Sequence, residues 1–286
     1  MENQARQAVI LGARSLVSPY LMARLAASGW AGVCISRQAQ PADLALPVGF
    51  EWRTGDDFDA PAGAVVFSCL PIWILRKFLS RVPRGGRLVA LGSTSVVTKQ
   101  ASASAAERKV ALLLQLGEQA VTSGHARWTI LRPTMIYDSV ADGNVARLMQ
   151  TIRRWGFLPL PYPATGLRQP VHADDVAAFL LAAAEHADCA GQVLTVTGGE
   201  TLTYCDMVRR IFACLGKRPV LLMLPGWLLK LAAWLTGHSG AMIDRINEDL
   251  AFEGESAVRM LGVTPRGFLY KGDEGVTRAD GETHER

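Results

Sequence analysis

QAVILGARSLVSPYLMARLAASGWAGVCISR, residues 7–37, is the stretch from which the rest of the chain is read. Residues 8–11 are a short apolar run that Gly12 ends, the pattern of a buried parallel strand. Leu16, Tyr20, Leu21, Arg24 and Leu25 then recur at helical spacing, and Gly29 stands where the glycine after a helix C-terminus belongs. A second apolar run covers 31–36. Strand, tight turn, helix and strand within about 30 residues make a βαβ unit, the opening of a dinucleotide-binding fold.

The turn departs from the usual glycine pattern. In that pattern the first glycine makes the turn, the second lets the backbone approach a pyrophosphate, and the third allows close helix–strand packing. Here the three places hold Gly12, Ser15 and Ser18. Serine is a small polar replacement whose hydroxyl can donate to a phosphate. Ser18 followed by Pro19 predicts an N-cap at Ser18 with proline at the first helical position, and a helix start that offers N–H groups to an anion. A buried βαβ unit without a ligand is the alternative. Arg37 follows Ser36 at the end of the second strand, and no Asp or Glu occurs between Glu2 and Asp43. An acidic residue there binds the ribose 2′-hydroxyl of NAD, whereas an arginine suits a 2′-phosphate. NADP is therefore expected over NAD, with Arg14 adding positive charge. Two solvated arginines are the bland alternative.

The 286 residues, 49% of them hydrophobic, can bury a large core with an appended lobe. A net charge of +4 with scattered basic residues excludes a nucleic-acid stripe. Cys34, Cys69, Cys189, Cys205 and Cys214 form no C-x-x-C pair, and Cys34 and Cys69 sit in apolar runs as small buried hydrophobes. With no signal-peptide pattern at residues 1–12, a reducing, cytoplasmic setting is expected. The histidines show no metal-ligand spacing, and no metal is expected. VLLMLPGWLLKLAAWL, 220–235, is broken by Pro225 and Gly226 and charged by Lys230. It reads as a strand ending near Leu224 and an amphipathic helix over 226–235. That helix makes either a peripheral membrane contact or a packing surface, not a membrane span.

Further along, strands are predicted at 48–52, 64–68, 86–91 and 128–131. The gap containing Pro41 and Pro47 is close to the minimum length for a helical crossover, so a loop or a single turn is expected there. Helices are predicted at 72–81 and 104–122, the latter with Val110, Leu113, Leu114 and Gly117 inward. Cys69-Leu70-Pro71 and Gly92-Ser93-Thr94-Ser95 follow strand ends, where α/β ligands bind. Five or six parallel strands alternating with helices imply an α/β chain, a Rossmann-like doubly wound parallel sheet. The second half adds helices at 145–155, at 172–186 and from Thr203 to Gly216, and a strand at 192–197. Residues 1–270 thus read as one Rossmann-like domain with a smaller C-terminal substrate lobe, mainly 139–168 and 198–270. Residues 271–286 read as a flexible tail.

Three blocks carry a family resemblance: LRPTMIYD at 131–138, RQPVHADDVAAFLLAA at 168–183 and VTGGETLTYCDMVRRIF at 196–212. With the first βαβ unit they resemble the extended and atypical short-chain dehydrogenase/reductases, the nucleoside-diphosphate-sugar epimerase/dehydratase group, as far as about Pro265. The resemblance implies that Gly12, Arg14, Ser15, Leu16 and Ser18 hold a pyrophosphate, and that Ser36 and Arg37 meet the adenosine ribose or its phosphate. Cys69, Leu70 and Pro71 would lie along the cofactor, with Pro133 and Thr134 at the nicotinamide. Asn144 would meet the substrate and Arg168 its diphosphate, a role suited to bidentate arginine; an ordinary surface arginine is the alternative. His172 and Asp175 would hold the following helix in place.

The departure is in the catalytic set. The family uses a tyrosine, a lysine four residues later, and an upstream Ser or Thr. Ser93 matches the last, with Thr94 beside it. No tyrosine lies between Tyr20 and Tyr137, and the residue four before Lys109 is Ala105. Lys99 is a second cation near the strand end, and Glu107 and Glu118 are candidate acids. Two readings follow. One is an NAD(P)-binding epimerase/dehydratase-like oxidoreductase acting on a nucleotide-sugar or other small carbonyl or hydroxyl substrate. Ser93 or Thr94 would orient the reacting oxygen, and Lys99 or water would supply the proton. The other is a catalytically inactive dinucleotide-binding sensor or structural assembly protein. Relatives often dimerise through the long helix, and the resemblance leaves a homodimer and a monomer both open.

Overall fold

Ala8, Val9, Ile10 and Leu11 are each at most 1% exposed, a burial that only a strand covered on both faces attains. In the computed structural model, which describes residues 6–235 and 240–269, they belong to β1 (Arg6–Leu11). The expected tail at 271–286 lies outside the described residues. Parallel neighbours of β1 are β2 (Trp30–Ser36) and β4 (Val65–Ser68). β3 (Phe50–Thr54) joins the far side of β2. β5 (Arg87–Leu91), β6 (Arg127–Pro133) and a last strand, Gln192–Val196, extend the sheet beyond β4. All seven strands are parallel, and strand order reverses between β1 and β4, the doubly wound arrangement expected. The last strand takes the sheet one beyond the expected five or six.

Helices α1 (Ser18–Ala27), α2 (Ile72–Leu75), α3 (Ser95–Thr98) and α4 (Ala105–Thr122) follow strands of the first half. In the second half come α5 (Val145–Trp155), α6 (Ala173–Glu185), α7 (Tyr204–Cys214), α8 (Gly226–Leu235), α9 (Ala241–Arg245) and α10 (Glu255–Leu261). One face of the sheet packs on α1, α6 and α10, the other on α2 and α4. No helix connects β2 to β3; the Pro41–Pro47 loop does, with Leu44 and Leu46 turned onto the core.

Several local expectations change. Val17, not Ser18, is the N-cap of α1; Ser18 is fully buried and its hydroxyl donates to the Gly12 carbonyl at 3.0 Å. The helix expected over 72–81 is only α2, followed by a 3-10 turn at Arg76–Arg81. That winding puts Leu75 and Phe78, three apart, on one buried row. β3 starts at Phe50 because Gly49, at φ +87°, turns the chain and leaves Val48 outside. On α4, Leu114 and Gly117 face inward as expected, but Leu113 is half-exposed and Ala111 and Val121 complete the buried face. A Cβ on Gly117 would stand 2.7 Å from backbone atoms of Ile72 and Trp73, so α4 lies directly on α2.

The lobe has its own core of Tyr137, Met149, Ile152, Ile211, Phe212 and Phe268. Short strands edge it: Leu158–Pro161 beside Leu221–Leu224, and Leu167–Arg168 against Leu202–Thr203. His172 caps α6, its Nδ1 accepting from the Asp174 N–H at 3.1 Å. Asp175 accepts from the Arg266 backbone N–H and from its Nε, each at 2.9 Å, and Asp174 accepts from Arg24 Nε at 2.5 Å. These bonds tie α1, α6 and the segment after α10 together.

Candidate active site and dinucleotide cleft

The turn after β1 lies at the strand-order reversal. The Gly12 and Ala13 N–H groups both donate to the Ile35 carbonyl, at 3.1 and 3.2 Å, bending the chain across the end of β2. Gly12 has φ +81°, and a Cβ on it would stand 3.0 Å from Cys69 C and Leu70 N. The first glycine is therefore required twice, by conformation and by close approach. The two serines are drawn inward: their hydroxyls lie 2.9 Å apart, and Ser18 bonds Gly12. Leu16 is half-buried at the same turn. Arg14 is exposed and donates to the Ala39 carbonyl at 3.2 Å. Arg37 follows Ser36 at the β2 end; it is exposed and has no side-chain partner among the described residues.

On the β4 side, Cys69 is buried against Ser15 and Ser18. Burial pushes its thiol up to about 11, the two hydroxyls pulling the other way. Cys34 is pushed up to about 12 by burial and by Cys69. Both thiols are thus neutral packing groups, as expected. A glycine turn that admits no side chain, a helix start and an unpaired arginine fit an anionic dinucleotide laid across the strand ends.

Beyond the carboxyl ends of β5 and β6 a cavity of about 530 Å³ separates sheet and lobe. Ser93, Thr94, Lys99 and Glu107 line it from the sheet side, Thr134 and Met135 from the segment after β6, and Asn144 and Arg147 from α5. Arg168, Tyr204 and Arg245 close it from the lobe. Ser93 Oγ accepts from the Ser95 N–H at 3.1 Å, whereas Thr94 Oγ1 donates to the Pro133 carbonyl at 3.2 Å. Of the two hydroxyls, only that of Ser93 keeps its hydrogen uncommitted. The Thr134 hydroxyl is spent on the Gln169 carbonyl at 2.5 Å. Asn144 precedes α5, held by Asp142, which accepts from the N–H groups of Ser139, Asn144 and Ala146 at 3.1, 2.8 and 3.1 Å.

Glu107 is the cavity's carboxylate. Ser102 Oγ donates to it at 2.6 Å and Arg245 Nη1 at 3.0 Å, and Lys99 Nζ lies 3.8 Å away. Burial disfavours its charge, but the Ser102 hydroxyl, the Arg245 hydrogen bond and the charges of Arg245 and Lys99 outweigh that and hold it below the usual glutamate range. Glu118, the other candidate acid, pairs with Arg132 at 2.8 Å and does not line the cavity. Lys109 is exposed on the outer side of α4.

Arg168, expected to meet a diphosphate, reaches the cavity with its guanidinium bonded to backbone carbonyls. Its Nη1 donates to the Leu167 and Glu248 carbonyls, each at 2.7 Å, and its Nη2 to the Arg245 carbonyl. It is 5% exposed, so it is no ordinary surface arginine; it pins the strand bearing it to the segment after α9. Arg147 is the cavity cation with no side-chain partner among the described residues. Sequence reasoning missed it, although three positions beyond Asn144 is the next residue on that side of the helix. Arg245 had no local signal.

No family model matches the chain. UDP-glucose 4-epimerase of Vibrio cholerae is 28% identical over 152 residues, 52% of this chain and 45% of that protein. The match thus spans less than half of the relative. Among solved structures, UDP-glucuronic acid 4-epimerase from Bacillus cereus in complex with NAD superposes with a TM-score of 0.70 at 16% identity, over 91% of this chain and 93% of that one. Epimerase Mth375 from Methanothermobacter thermautotrophicus gives 0.71 at 14%, over 94% and 90%. MoeE5 in complex with UDP-glucose and NAD gives 0.65 at 18%, over 93% and 96%. The chain thus shares the fold of these epimerase structures and, over half its length, resembles a UDP-glucose 4-epimerase in sequence.

Among the described residues no tyrosine stands at the sheet-side wall of the cavity. The cavity's tyrosine, Tyr204, comes from the lobe and lies under Arg168, 5.3 Å from guanidinium carbon to ring centre. Burial pushes its phenol up, with the Arg168 charge opposing, the reverse of what a proton-accepting phenolate needs. In its place the sheet side presents Ser93, Lys99 and Glu107.

Proposed function

We propose that the chain is a nicotinamide-dinucleotide-dependent oxidoreductase of the epimerase/dehydratase type. Its substrate is a nucleotide-sugar or a similar anionic carbonyl or hydroxyl compound. The observation that carries this reading is the cavity beyond β5 and β6, where an uncommitted Ser93 hydroxyl and the Lys99–Glu107 pair face the free Arg147. When bound, the dinucleotide supplies hydride exchange with a substrate carbon. Ser93 orients the oxygen on that carbon. Lys99, beside Glu107, donates the proton a developing alkoxide takes up, the part played by tyrosine in the epimerases that the chain resembles. Arg147 binds the substrate's phosphates, and Arg168 keeps the lobe wall in shape behind it.

The reading includes NADP as the preferred dinucleotide, because Arg37 is unpaired where an acidic residue would favour NAD. The NAD held by the Bacillus cereus epimerase structure supports the dinucleotide class rather than this preference. Titrating the purified protein with NADPH and NADH, followed by nucleotide and tryptophan fluorescence, tests both points. Tight NADPH binding that weakens on the order of tenfold in Arg37→Ala supports the reading. Absence of binding by either nucleotide to the folded protein sinks it. The inward hydrogen bonds of Ser15 and Ser18 favour a second reading, a binding protein without catalysis. Nucleotide binding without turnover across nucleotide-sugars would decide for it.

A further inference from the structure

The lobe has a face that the cavity does not use. On α8, Trp227 is 67% exposed and Leu228 and Leu231 are also open to solvent. On the preceding strand Leu222 and Met223 are exposed too. That strand pairs with Leu158–Pro161, and the Tyr162 N–H donates to the Leu224 carbonyl at 2.9 Å, which brings in Tyr162, itself 73% exposed. Exposed Trp155 ends α5 and stacks on Phe157 just before the same strand pair. Single exposed apolar side chains are ordinary; a set gathered around one strand pair and the helices beside it, with three aromatics, is not.

Its charge is one-sided. Neither 143–173 nor 207–243 contains an Asp or Glu. Arg153, Arg154 and Arg218 are exposed on these stretches. Lys217 donates to the Ile152 and Arg153 carbonyls at 3.2 and 3.0 Å, which sets Arg218 beside the end of α5. Of the four carboxylates that flank these stretches, Asp142 is buried, Asp174 pairs with Arg24 and Arg266, Asp206 pairs with Arg209 at 2.9 Å, and Asp244 pairs with Lys230 at 2.5 Å. A second copy docking face to face would bring two cationic faces together. An anionic surface with an apolar interior meets both properties at once. Among the described residues no helix is long and apolar enough to cross a membrane, so such a contact lies in the interface.

We propose that this face docks the protein on an anionic lipid bilayer, with Trp155, Tyr162 and Trp227 in the headgroup layer and Arg153, Arg154 and Arg218 on lipid phosphates. It stands apart from the catalytic reading, since none of these side chains lines the cavity.

The test is co-sedimentation of the full chain with phosphatidylcholine vesicles, with and without phosphatidylglycerol, followed by tryptophan emission. Binding is expected to need phosphatidylglycerol, to shift emission to the blue and to fall with salt. Arg153→Glu combined with Arg154→Glu should weaken it by more than about tenfold. Trp227→Ser combined with Leu231→Ser should weaken it comparably, with the thermal midpoint and nucleotide binding of both variants unchanged. Equal binding to both vesicle types, no binding to either, or variants that bind like the parent overturns the proposal. So does a concentration-dependent dimer in sedimentation velocity that the Trp227→Ser, Leu231→Ser variant abolishes.

Discussion

Arg245 and Glu107, 138 residues apart in the chain, meet at 3.0 Å with 18% and 19% of their side chains exposed. The contact joins the end of α9 to the first turn of α4, and so sets the lobe against the sheet across the cavity. Glu107 is fixed from its own side too, its N–H donating to Ser104, the N-cap of α4. Lys99 Nζ lies 3.8 Å from the same carboxylate and lines the cavity.

The pH dependence follows from Glu107. Its folded-state carboxyl is held below the ordinary value of about 4.3. The stability it contributes is therefore present above that value and lost as pH falls through the lower, folded one. Glu107→Gln should lower the thermal midpoint at pH 7, and its midpoint should fall less steeply than the parent's on acidification below about pH 4. Scanning fluorimetry across pH measures both slopes. Identical slopes would remove Glu107 from the charge network.

Arg147 and Arg168 should separate binding from scaffolding. Arg147→Ala is expected to weaken UDP binding on the order of tenfold with the thermal midpoint unchanged, since it loses a charge-assisted phosphate contact and no internal bond. Arg168→Ala strips three backbone carbonyls of a donor and should cost about 2 kcal/mol or more of stability. Calorimetric titration and denaturant unfolding of both variants check the pair. The reverse pattern would return the phosphate role to Arg168.

How much of this could be read in advance depended on distance along the chain. β1, α1 and β2 were plain because apolar spacing and Gly29 are local signals. The α8 boundaries were plain too, since Pro225 and Gly226 interrupt a continuous apolar run. Ser18 misled, because its hydroxyl follows a buried carbonyl six residues back rather than the N–H groups ahead of it. The 3-10 turn after α2 was hidden, because the row that decides it, Leu75 and Phe78, is set by what lies beneath. At the cavity, Ser93 and Lys99 announced themselves by following a strand end. Choosing Glu107 over Glu118 required knowing that Arg132 faces one and Arg245 the other.

Gly117 offers a direct check on the packing of α4. In an exposed helix interior, alanine would be more favourable than glycine by about 1 kcal/mol. Here the added Cβ meets the backbone of Ile72 and Trp73 at 2.7 Å, and backbone cannot rotate away. Gly117→Ala should therefore destabilise the protein by about 1–3 kcal/mol in urea unfolding. A stabilised variant would mean that α4 and α2 stand further apart.

Thiol labelling tests the strand ends. Of the five cysteines only Cys214 is exposed. A thiol reacts as its thiolate, and burial holds Cys34 near 12 and Cys69 near 11. At pH 8 the native protein should take up one maleimide, on Cys214, and all five cysteines should react in guanidinium chloride. Burial beneath the Gly12–Ser18 turn disfavours the Cys69 thiolate, so its labelling should speed up when the turn opens. Slow native labelling of Cys69 would therefore report that opening. NADPH laid across the turn should suppress it, whereas labelling of Cys214, at the far end of α7, should not respond. Rapid labelling of Cys69 unaffected by NADPH would place the dinucleotide elsewhere.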